Sequence, residues 1–415
     1  MNNRRVTEKE IQGALVNLKQ LTFEVTDACN LQCKYCGYGD LYFGYDKRES
    51  KYMTFEQAKV MIDYLVNIWR QSHTDSARQK TYISFYGGEP LLNMPMIEQT
   101  VEYIEQLEIN RNFIFSMTTN AMLLHKYMDY LTEKKFQLLF SLDGDREGHS
   151  YRVSFDGENS FDRVFGNIRA LQQKYPEYFR EHVNFNSVLH QRNSVESIHR
   201  FIRQEFGKTP AISELNNSGI RPDKVEEFNR TYKNKAESLM ESENYEQLSG
   251  EMFMSEPSTY DLLLYLHQHS GNVFKDYTSL FVDESKISYT PTGTCIPFGK
   301  KMFVTVNGKI IQCERIDHRF ALGDIKPDGV NLDIKKVVAR FNGYLDKLQK
   351  QCEACYRNKS CIQCIYYISD IDEKHPVCHG FMNREQFERF SSHCLNHLNR
   401  HPSLYRKLME EVLVE

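Results

Sequence analysis

The chain has 415 residues, of which 40% are hydrophobic and 26% are charged, so it is long enough for two or three domains with large cores. Its formal net charge of −4 at pH 7 gives no electrostatic reason to expect nucleic acid or an acidic membrane as a partner. The sequence has no apolar run near the ~18 residues of a membrane helix and no signal-peptide core, so we expect a cytoplasmic protein without a membrane partner.

The first half of the chain carries the pattern of a parallel sheet. Short apolar runs alternate with helical periodicity from residue 21 to about residue 211, which is typical of repeated strand–helix units in an α/β fold. Between the first two runs, Thr54 and Gln57 predict a capping box that opens a helix. The predicted strands are Leu21–Val25, Tyr82–Tyr86, Phe113–Thr118, Gln137–Leu142, His182–Leu189 and Ala211–Leu215.

Residues suited to chemistry follow the first four of these strands. In barrels and open α/β sheets the carboxyl ends of the strands point to one rim, and functional sites are built there. We therefore expect one shared site, formed by four segments: residues 29–36, Gly87–Pro90, Thr118–Asn120 and Asp143.

The second half of the chain has a different composition. Residues 222–285 are polar and helix-prone, with the amphipathic stretch Tyr260–His267 among them, and we interpret them as a helical linker or lid. The dipeptide Asn307-Gly308 within Lys301–Ile311 predicts a β-hairpin. Cysteines recur from residue 295 to residue 378 and predict a second, metal-organised domain. The predicted domains are residues 1–221, 222–285, 286–380 and, as a helical tail, 381–415.

The spacing Cys29-x3-Cys33-x2-Cys36 is the most informative motif of the chain. Thiolates are the ligands of iron–sulfur clusters, and three of them on one loop can bind three irons of a [4Fe–4S] cube while the fourth iron stays open. The chain has 11 cysteines, and in a reducing compartment grouped cysteines bind metal more often than they form disulfides. Free buried thiols are the structural alternative.

Together with Tyr35 and the segment Tyr86-Gly87-Gly88-Glu89-Pro90, this motif resembles the radical S-adenosylmethionine (SAM) superfamily. The resemblance implies a partial (β/α)6 TIM-like barrel, in which the catalytic residues Cys29, Cys33 and Cys36 bind a [4Fe–4S] cluster. It also implies that SAM chelates the open iron and that one electron cleaves it to a 5′-deoxyadenosyl radical. This radical then abstracts a hydrogen atom from the substrate.

The resemblance also implies which residues bind SAM. The two glycines allow a close backbone approach, and in the family this stretch holds the SAM amino group. Polar residues after the fourth strand contact the ribose, and the planar fork of an arginine suits the carboxylate. The structural alternative is that Ser141 and Asp143 only end a strand and that Arg152 is a surface residue. The implied cofactor contacts are Tyr35, Gly87, Gly88, Glu89, Asn120, Ser141, Asp143 and Arg152.

The later cysteines resemble the SPASM domain, which carries auxiliary iron–sulfur clusters in radical SAM enzymes that modify peptides and proteins. The resemblance implies one fully ligated [4Fe–4S] cluster at Cys352, Cys355, Cys361 and Cys378. It implies a second cluster at Cys295, Cys313 and Cys364. Because no further cysteine lies near Cys295 in the sequence, one iron of this second cluster would be open to a substrate cysteine.

Two alternatives concern these cysteines. A zinc ribbon would use Cys352, Cys355, Cys361 and Cys364, because paired short spacings make tetrahedral sites of four thiolates. Such a site leaves the other three cysteines of this region without a role. Cys394 is either a spare thiol of the helical tail or the fourth ligand of a cluster.

The leading hypothesis is a radical SAM/SPASM peptide maturase, an oxidoreductase that modifies a ribosomally made precursor peptide by forming a thioether from a cysteine sulfur to a carbon. Fewer than thirty residues precede Cys29, which leaves no room for a leader-binding winged helix, so we expect a separate leader-binding protein or another surface. The hypothesis also needs an electron donor such as flavodoxin or ferredoxin. The alternatives are an anaerobic sulfatase-maturating enzyme, for which the sequence singles out no carboxylate base, and a non-catalytic scaffold that binds zinc.

Overall fold

The computed structural model describes residues 5–71, 80–252, 262–267, 292–400 and 402–410. The strands within these residues are β1 (Gln20–Thr26), β2 (Lys80–Gly87), β3 (Asn112–Thr119), β4 (Gln137–Ser141), β5 (Val183–Val188), β6 (Ala211–Ser213), β7 (Met302–Val304), β8 (Lys309–Ile311), β9 (Gly323–Lys326) and β10 (Gly329–Asn331). They form one sheet in the order β10-β9-β8-β7-β1-β2-β3-β4-β5-β6.

Helices connect most of the parallel strands and make up much of the C-terminal part. In chain order they are α1 (Glu8–Val16), α2 (Phe55–Gln71), α3 (Met94–Glu105), α4 (Leu124–Glu133), α5 (Phe161–Lys174), α6 (Pro176–His182), α7 (Val195–Phe206), α8 (Val225–Thr231), α9 (Lys235–Met240), α10 (Tyr245–Met252), α11 (Ile334–Ala354), α12 (Arg384–Arg400) and α13 (Pro402–Glu410). None of the described helices is both long enough and apolar enough to span a membrane.

The strands β1 to β6 run parallel and lie side by side in sequence order, which confirms the predicted α/β class with a partial (β/α)6 barrel. All six predicted strands are present, although β6 ends at Ser213, before the predicted Leu215. The capping box before α2 is also confirmed. The Thr54 N–H donates to Gln57 Oε1 at 2.9 Å, and the Gln57 N–H donates to Thr54 Oγ1 at 3.3 Å.

The central strands are buried along nearly their whole length. Six of the seven residues of β1 are buried in an unbroken run, as expected for a parallel strand covered on both faces. Four strands each contribute a phenylalanine that is almost completely buried, namely Phe23, Phe85, Phe140 and Phe185. Burial of each ring stabilises the fold by roughly 1.5–3 kcal/mol, and the packed sheet fixes the strand ends from which the site residues project.

The predicted hairpin is confirmed, since β7 and β8 pair antiparallel with Phe303 opposite Ile311. Gly308 has φ +78° in its turn, a conformation that glycine adopts without steric cost. The hairpin does not form a separate sheet. Instead β7 pairs parallel with β1, with Leu21 opposite Met302, so β1 lies between β2 and β7.

The chain divides into two compact units. The barrel unit comprises Lys9–Glu251 and Ile296–Ile334, and the C-terminal unit comprises Met1–Glu8, Met252–Cys295 and Lys335–Glu415. The barrel unit therefore contains both the parallel strands and the hairpin, while the domain boundaries inferred from the sequence stay predictions. Of the linker or lid predicted for residues 222–285, positions 253–261 and 268–285 lie outside the described residues, and 262–267 are helical.

Candidate active site

The three cysteines of the motif lie on the loop that follows β1, and each is partly buried. Burial raises the pKa of Cys29 to about 11 and the pKa of Cys33 to about 12, and the charge of Cys36 contributes to both increases. The three thiols are therefore close enough to interact electrostatically. With these raised pKa values Cys29 and Cys33 are protonated at neutral pH, so binding a metal cluster would release their protons.

The glycine pair at the end of β2 lies directly against this loop. A Cβ atom on Gly88 would stand 1.9 Å from the Ala28 carbonyl oxygen, and one on Gly87, whose φ is +138°, would stand 2.2 Å from the Thr26 oxygen. The Gly88 N–H donates to the Thr26 oxygen at 2.9 Å, and the Glu89 N–H donates to the Ala28 oxygen at 2.9 Å. These contacts hold the first turn of the cysteine loop, and only glycine permits them.

Glu89 is completely buried and links β2 to the end of β3. Its carboxylate accepts hydrogen bonds from the Thr119 hydroxyl at 2.6 Å, the Asn120 N–H at 2.8 Å and the Leu91 N–H at 3.0 Å. Burial raises the pKa of Glu89 to about 7, although these three donors oppose the increase. Both carboxylate oxygens are thus used by the protein, so Glu89 positions neighbouring backbone in this state.

Asn120 follows β3 and contacts the cysteine loop through its side chain. Its Nδ2 donates to Asn30 Oδ1 at 2.7 Å and lies 3.8 Å from Cys29 Sγ, while its Oδ1 accepts the Met122 N–H at 3.0 Å. Ser141 is the last residue of β4 and is buried. Because Thr119 pairs with Phe140, the two predicted site residues lie at the ends of adjacent strands.

Asp143, Arg152 and Tyr35 form a buried cluster. The Arg152 guanidinium donates two hydrogen bonds to the Asp143 carboxylate, at 2.9 and 3.0 Å, and the Tyr35 hydroxyl donates to the same carboxylate. Although burial alone would raise the pKa of Asp143, Arg152 holds that pKa below its ordinary value. Arg152 is therefore not a surface residue, and its planar fork is directed at a protein carboxylate. Through Tyr35, this pair is connected to the cysteine loop.

Sequence reasoning missed the residues after β5 that complete this cluster. The His190 ring packs against Tyr151, with centroids 4.5 Å apart, and against Tyr35 at 5.5 Å. Burial lowers the pKa of His190 to about 4, so the ring is neutral at physiological pH. The Asn193 side chain donates to the Asp143 carbonyl oxygen at 3.1 Å. Their position just after the fifth predicted strand, at the same rim as the other segments, was the signal that could have identified them.

A second missed group lies where the cysteine loop meets the hairpin, within the barrel unit. Tyr38 packs edge-on against Tyr45 at 4.9 Å, and its buried hydroxyl has no hydrogen-bond partner among the described residues. Glu314 forms an ion pair with Lys301 at 3.0 Å. Burial would raise the pKa of Glu314, but Lys301 and neighbouring groups hold it below its ordinary value. Burial raises the pKa of Tyr38, and the charge of Glu314 is one of those that add to the increase, so this carboxylate lies near the aromatic residues.

The cysteines of the C-terminal unit fall into two groups by their electrostatic neighbours. Burial raises the pKa of Cys352 to about 12, and the members that add to this increase are Cys361, Cys378 and Cys355. Burial likewise raises the pKa of Cys364, but the cysteine that adds to it is Cys295. These interactions join Cys352 with Cys355, Cys361 and Cys378, and Cys364 with Cys295, while the full ligand sets that the SPASM resemblance implies, including Cys313, stay predictions.

Two further observations concern metal ligands. Within the described residues, no three His, Cys, Asp or Glu side chains surround a point where one metal ion could bind. In a [4Fe–4S] cube each thiolate binds a different iron, so its ligands do not need to meet at one point. Cys394 is buried in an apolar cluster with Leu262, Leu263, Leu266 and Leu408, which is the environment of a structural thiol.

Comparison with known proteins gives a family for the barrel unit. Residues 23–204 match the model of the Radical SAM superfamily. A cysteine-type anaerobic sulfatase-maturating enzyme of Clostridium novyi is 26% identical over 195 residues, which are 46% of this chain and 49% of that protein. The radical SAM cyclopropyl synthase TigE of Paramaledivibacter caminithermalis is 26% identical over 178 residues, 41% of this chain and 35% of that protein. The chain thus matches about half or less of the length of these relatives.

The fold extends the likeness over nearly the whole chain. The solved structure of anSMEcpe with bound AdoMet and the Cp18Cys peptide superposes with a TM-score of 0.62. The match covers 95% of this chain and 99% of that one at 18% sequence identity, so it shows a shared fold. Residues 23–204 therefore match a radical SAM domain, and members of that superfamily use a [4Fe–4S] cluster and S-adenosylmethionine.

Proposed function

We propose that this chain is a radical SAM enzyme of the SPASM type that modifies a precursor peptide by joining a cysteine sulfur to a carbon of another residue. The sequence likeness to a sulfatase-maturating enzyme and to a cyclopropyl synthase supports action on a peptide or protein. In forming a C–S bond, the carbon loses its hydrogen atom to the SAM-derived fragment, the sulfur loses its proton, and the one electron that remains would return to a bound cluster, so that SAM is the net oxidant. The peptide product is lighter by two hydrogens.

The proposal assigns the catalytic cluster to Cys29, Cys33 and Cys36. When bound, this cluster supplies the electron that cleaves SAM at its open iron. The protein contributes the surroundings. The cysteines are partly buried on their loop, and the turn at Gly87 and Gly88 fixes the start of the loop.

The proposed SAM contacts fall into two groups, according to whether the charged side chain already bonds to another residue of the protein. The Glu89 carboxylate accepts a hydrogen bond from Thr119 at the end of β3, and Arg152 forms a buried ion pair with Asp143. These three residues act mainly by positioning the backbone and Tyr35. Direct contact with SAM is then assigned to the remaining residues at the rim: Gly87, Gly88 and Ser141, together with the ring of Tyr35 and the backbone of Asn120, because the Tyr35 hydroxyl and the Asn120 amide are already hydrogen-bonded.

One observation carries the thioether proposal: the side chain of Tyr45 lies near cysteines of both proposed cluster sites. Burial raises the pKa of Tyr45 to about 12, and Cys313, Glu314 and Cys36 add to the increase. Cys313 is a proposed ligand of the auxiliary cluster with an open iron, and Cys36 is a proposed ligand of the catalytic cluster. A substrate cysteine bound beside Cys313 would therefore lie close to the cysteine loop.

The test is co-expression with a short precursor peptide encoded beside the gene, followed by mass spectrometry. The expected product is lighter by two hydrogens and resists thiol alkylation at one cysteine. The Cys29→Ala/Cys33→Ala/Cys36→Ala variant should leave the peptide unmodified. The control Cys394→Ala, at a residue outside the proposed ligand sets, should modify the peptide as the wild type does. An unmodified peptide with the wild-type chain, or a product with both thiols free, refutes the thioether.

A second candidate function is formylglycine formation, and Glu314 is the observation that favours it. This reaction needs a carboxylate base near the substrate, and Glu314 is held ionised beside Cys313 and the buried tyrosines. A peptide carrying a target cysteine would then gain oxygen in place of sulfur, a mass change distinct from thioether formation. Under this candidate Glu314→Gln abolishes the product without lowering the iron content, and a product with sulfur retained rules it out.

The proposed reaction also requires partners. We assign leader recognition to a separate leader-binding protein or another surface of this chain, and the supply of electrons to a donor such as flavodoxin or ferredoxin. Pull-down of the chain with a tagged precursor peptide, with and without the protein encoded beside it, tests the first assignment. Reduction of the clusters by purified flavodoxin in place of dithionite tests the second.

A further inference from the structure

We propose that Asn120 donates a hydrogen bond to the sulfur of Cys29 and thereby raises the reduction potential of the cluster that Cys29 binds. This inference rests on the proposed function, because it assumes a cluster at the cysteine loop. It gives Asn120 a role that acts through a cluster ligand, in addition to any contact with SAM.

The orientation of the Asn120 amide is fixed at both ends. Its Oδ1 accepts the Met122 N–H at 3.0 Å, and its Nδ2 donates to Asn30 Oδ1 at 2.7 Å. A flipped amide would place an NH2 group against the Met122 N–H and an oxygen against the Asn30 oxygen, so both hydrogen bonds would be lost. The backbone N–H of Asn120 is itself held by Glu89 at 2.8 Å. The residue is therefore held by its backbone as well as by its side chain.

An amide nitrogen has two hydrogens, and the second one is free to face the cysteine. One hydrogen of Asn120 Nδ2 is used on Asn30, and Cys29 Sγ lies 3.8 Å from the same nitrogen. The sulfur also accepts the Leu31 N–H at 3.4 Å. Because Asn120 is only 7% exposed, water competes little for this donor, and the hydrogen bond is stronger than it would be at the surface.

Hydrogen bonds to ligand sulfurs are one of the means by which a protein sets the potential of an iron–sulfur cluster. Reduction adds negative charge to the cluster, so an N–H directed at a ligand sulfur stabilises the reduced state more than the oxidised state. Removing the donor should therefore lower the potential. Asn120→Leu removes it with little change in volume, and Asn120→Asp replaces it with a carboxylate that keeps the acceptor for Met122.

The experiment is an EPR-monitored redox titration of the full chain, purified anaerobically and reconstituted with iron and sulfide. The spectrum of the Cys29→Ala/Cys33→Ala/Cys36→Ala variant is subtracted, so that the signal of the cluster at the loop remains. We expect Asn120→Leu to bind as much iron as the wild type and to show about a tenfold smaller equilibrium constant for reduction, which is 59 mV for one electron. Asn120→Asp should shift the potential further in the same direction.

Asn30→Ala is the matched control, because it removes the other partner of the amide but leaves the donor to Cys29 in place. Its potential should stay close to that of the wild type. An unchanged potential in Asn120→Leu, or an equal shift in Asn30→Ala, overturns the inference while leaving the proposed function intact. If the triple cysteine variant keeps the iron content and the full signal of the wild type, the proposed function itself fails.

Discussion

Replacing Asp143 with leucine should lower the free energy of unfolding of the barrel unit by about 3–5 kcal/mol, the usual cost of leaving one member of a buried ion pair without its partner. Asp143 is completely buried and Arg152 is 7% exposed, so water cannot compensate the guanidinium. The substitution also removes the acceptor of the Tyr35 hydroxyl and of the Val188 N–H, which donates to Asp143 at 2.9 Å. The expected loss of stability is large because the unpaired Arg152 charge and the two unpaired donors would all be buried.

The assay is a urea titration of the cluster-free protein, followed by the fluorescence of the only tryptophan of the chain. Trp69 is 5% exposed on α2 of the barrel unit, so its emission changes when that unit unfolds. The matched control is Arg146→Ala. It breaks an ion pair whose side chains are 60% and 64% exposed, and such surface pairs contribute about 0–1 kcal/mol.

A double variant separates the ion pair from the rest of the site. Asp143→Leu combined with Arg152→Met replaces two buried charges by apolar side chains, and such replacements are often neutral for stability. The double variant should therefore be more stable than Asp143→Leu alone, with a coupling energy of at least about 2 kcal/mol. The reasoning is refuted if Asp143→Leu changes stability by less than about 1 kcal/mol, or if the two substitutions are additive.

Three further predictions concern the cysteine loop and its surroundings. Gly88→Ala should prevent the cysteine loop from packing against β2 and reduce iron incorporation, because its Cβ would stand 1.9 Å from a carbonyl oxygen. The control Gly166→Ala in α5, where no atom lies within 4 Å of the added Cβ, should stabilise the fold by roughly 0.5–1 kcal/mol. Equal iron contents in the two variants would contradict the prediction. The pKa of Glu89 is raised from 4.5 to about 7, so the folded state binds the additional proton, and the free energy of unfolding should fall by about 3 kcal/mol between pH 4.5 and 7. Glu89→Gln should flatten that slope in urea titrations across the same range, and an unchanged slope counts against the raised pKa. Cys361→Ala should lower the iron content of the reconstituted chain by about four atoms, and loss of all iron would instead indicate misfolding.

The local elements of this fold could be predicted from the sequence because their signals are local. The apolar runs gave all six parallel strands, and Thr54 with Gln57 marked the start of α2. The pairing of β1 with β7 could not be predicted in this way. It joins Leu21 to Met302, and the period of a strand carries no information about a partner that distant in the chain.

In the candidate site, too, the sequence predicts which residues take part but not the contacts between residues distant in the chain. Motif spacing predicted Cys29, strand position predicted Asp143 and the family resemblance implied Arg152 as residues of one site, but none of these could show that the two charged groups bind each other. Nor could they identify Glu314, because a carboxylate becomes a candidate base through the aromatic and cysteine side chains around it in space. Asn120 lay among the predicted cofactor contacts, yet its approach to a cysteine sulfur depends on the direction of one amide.

The position of β1 between β2 and β7 has a consequence for synthesis in the cell. The strand that precedes the cysteine loop gains its second neighbour only after the ribosome has made about three quarters of the chain, as Phe23 pairs with Val304. Until then one side of β1 presents unpaired backbone groups, which other chains can add to. A nascent or truncated chain that ends before β7 should therefore depend on chaperones, and iron delivery to the loop should come late, after translation of the hairpin.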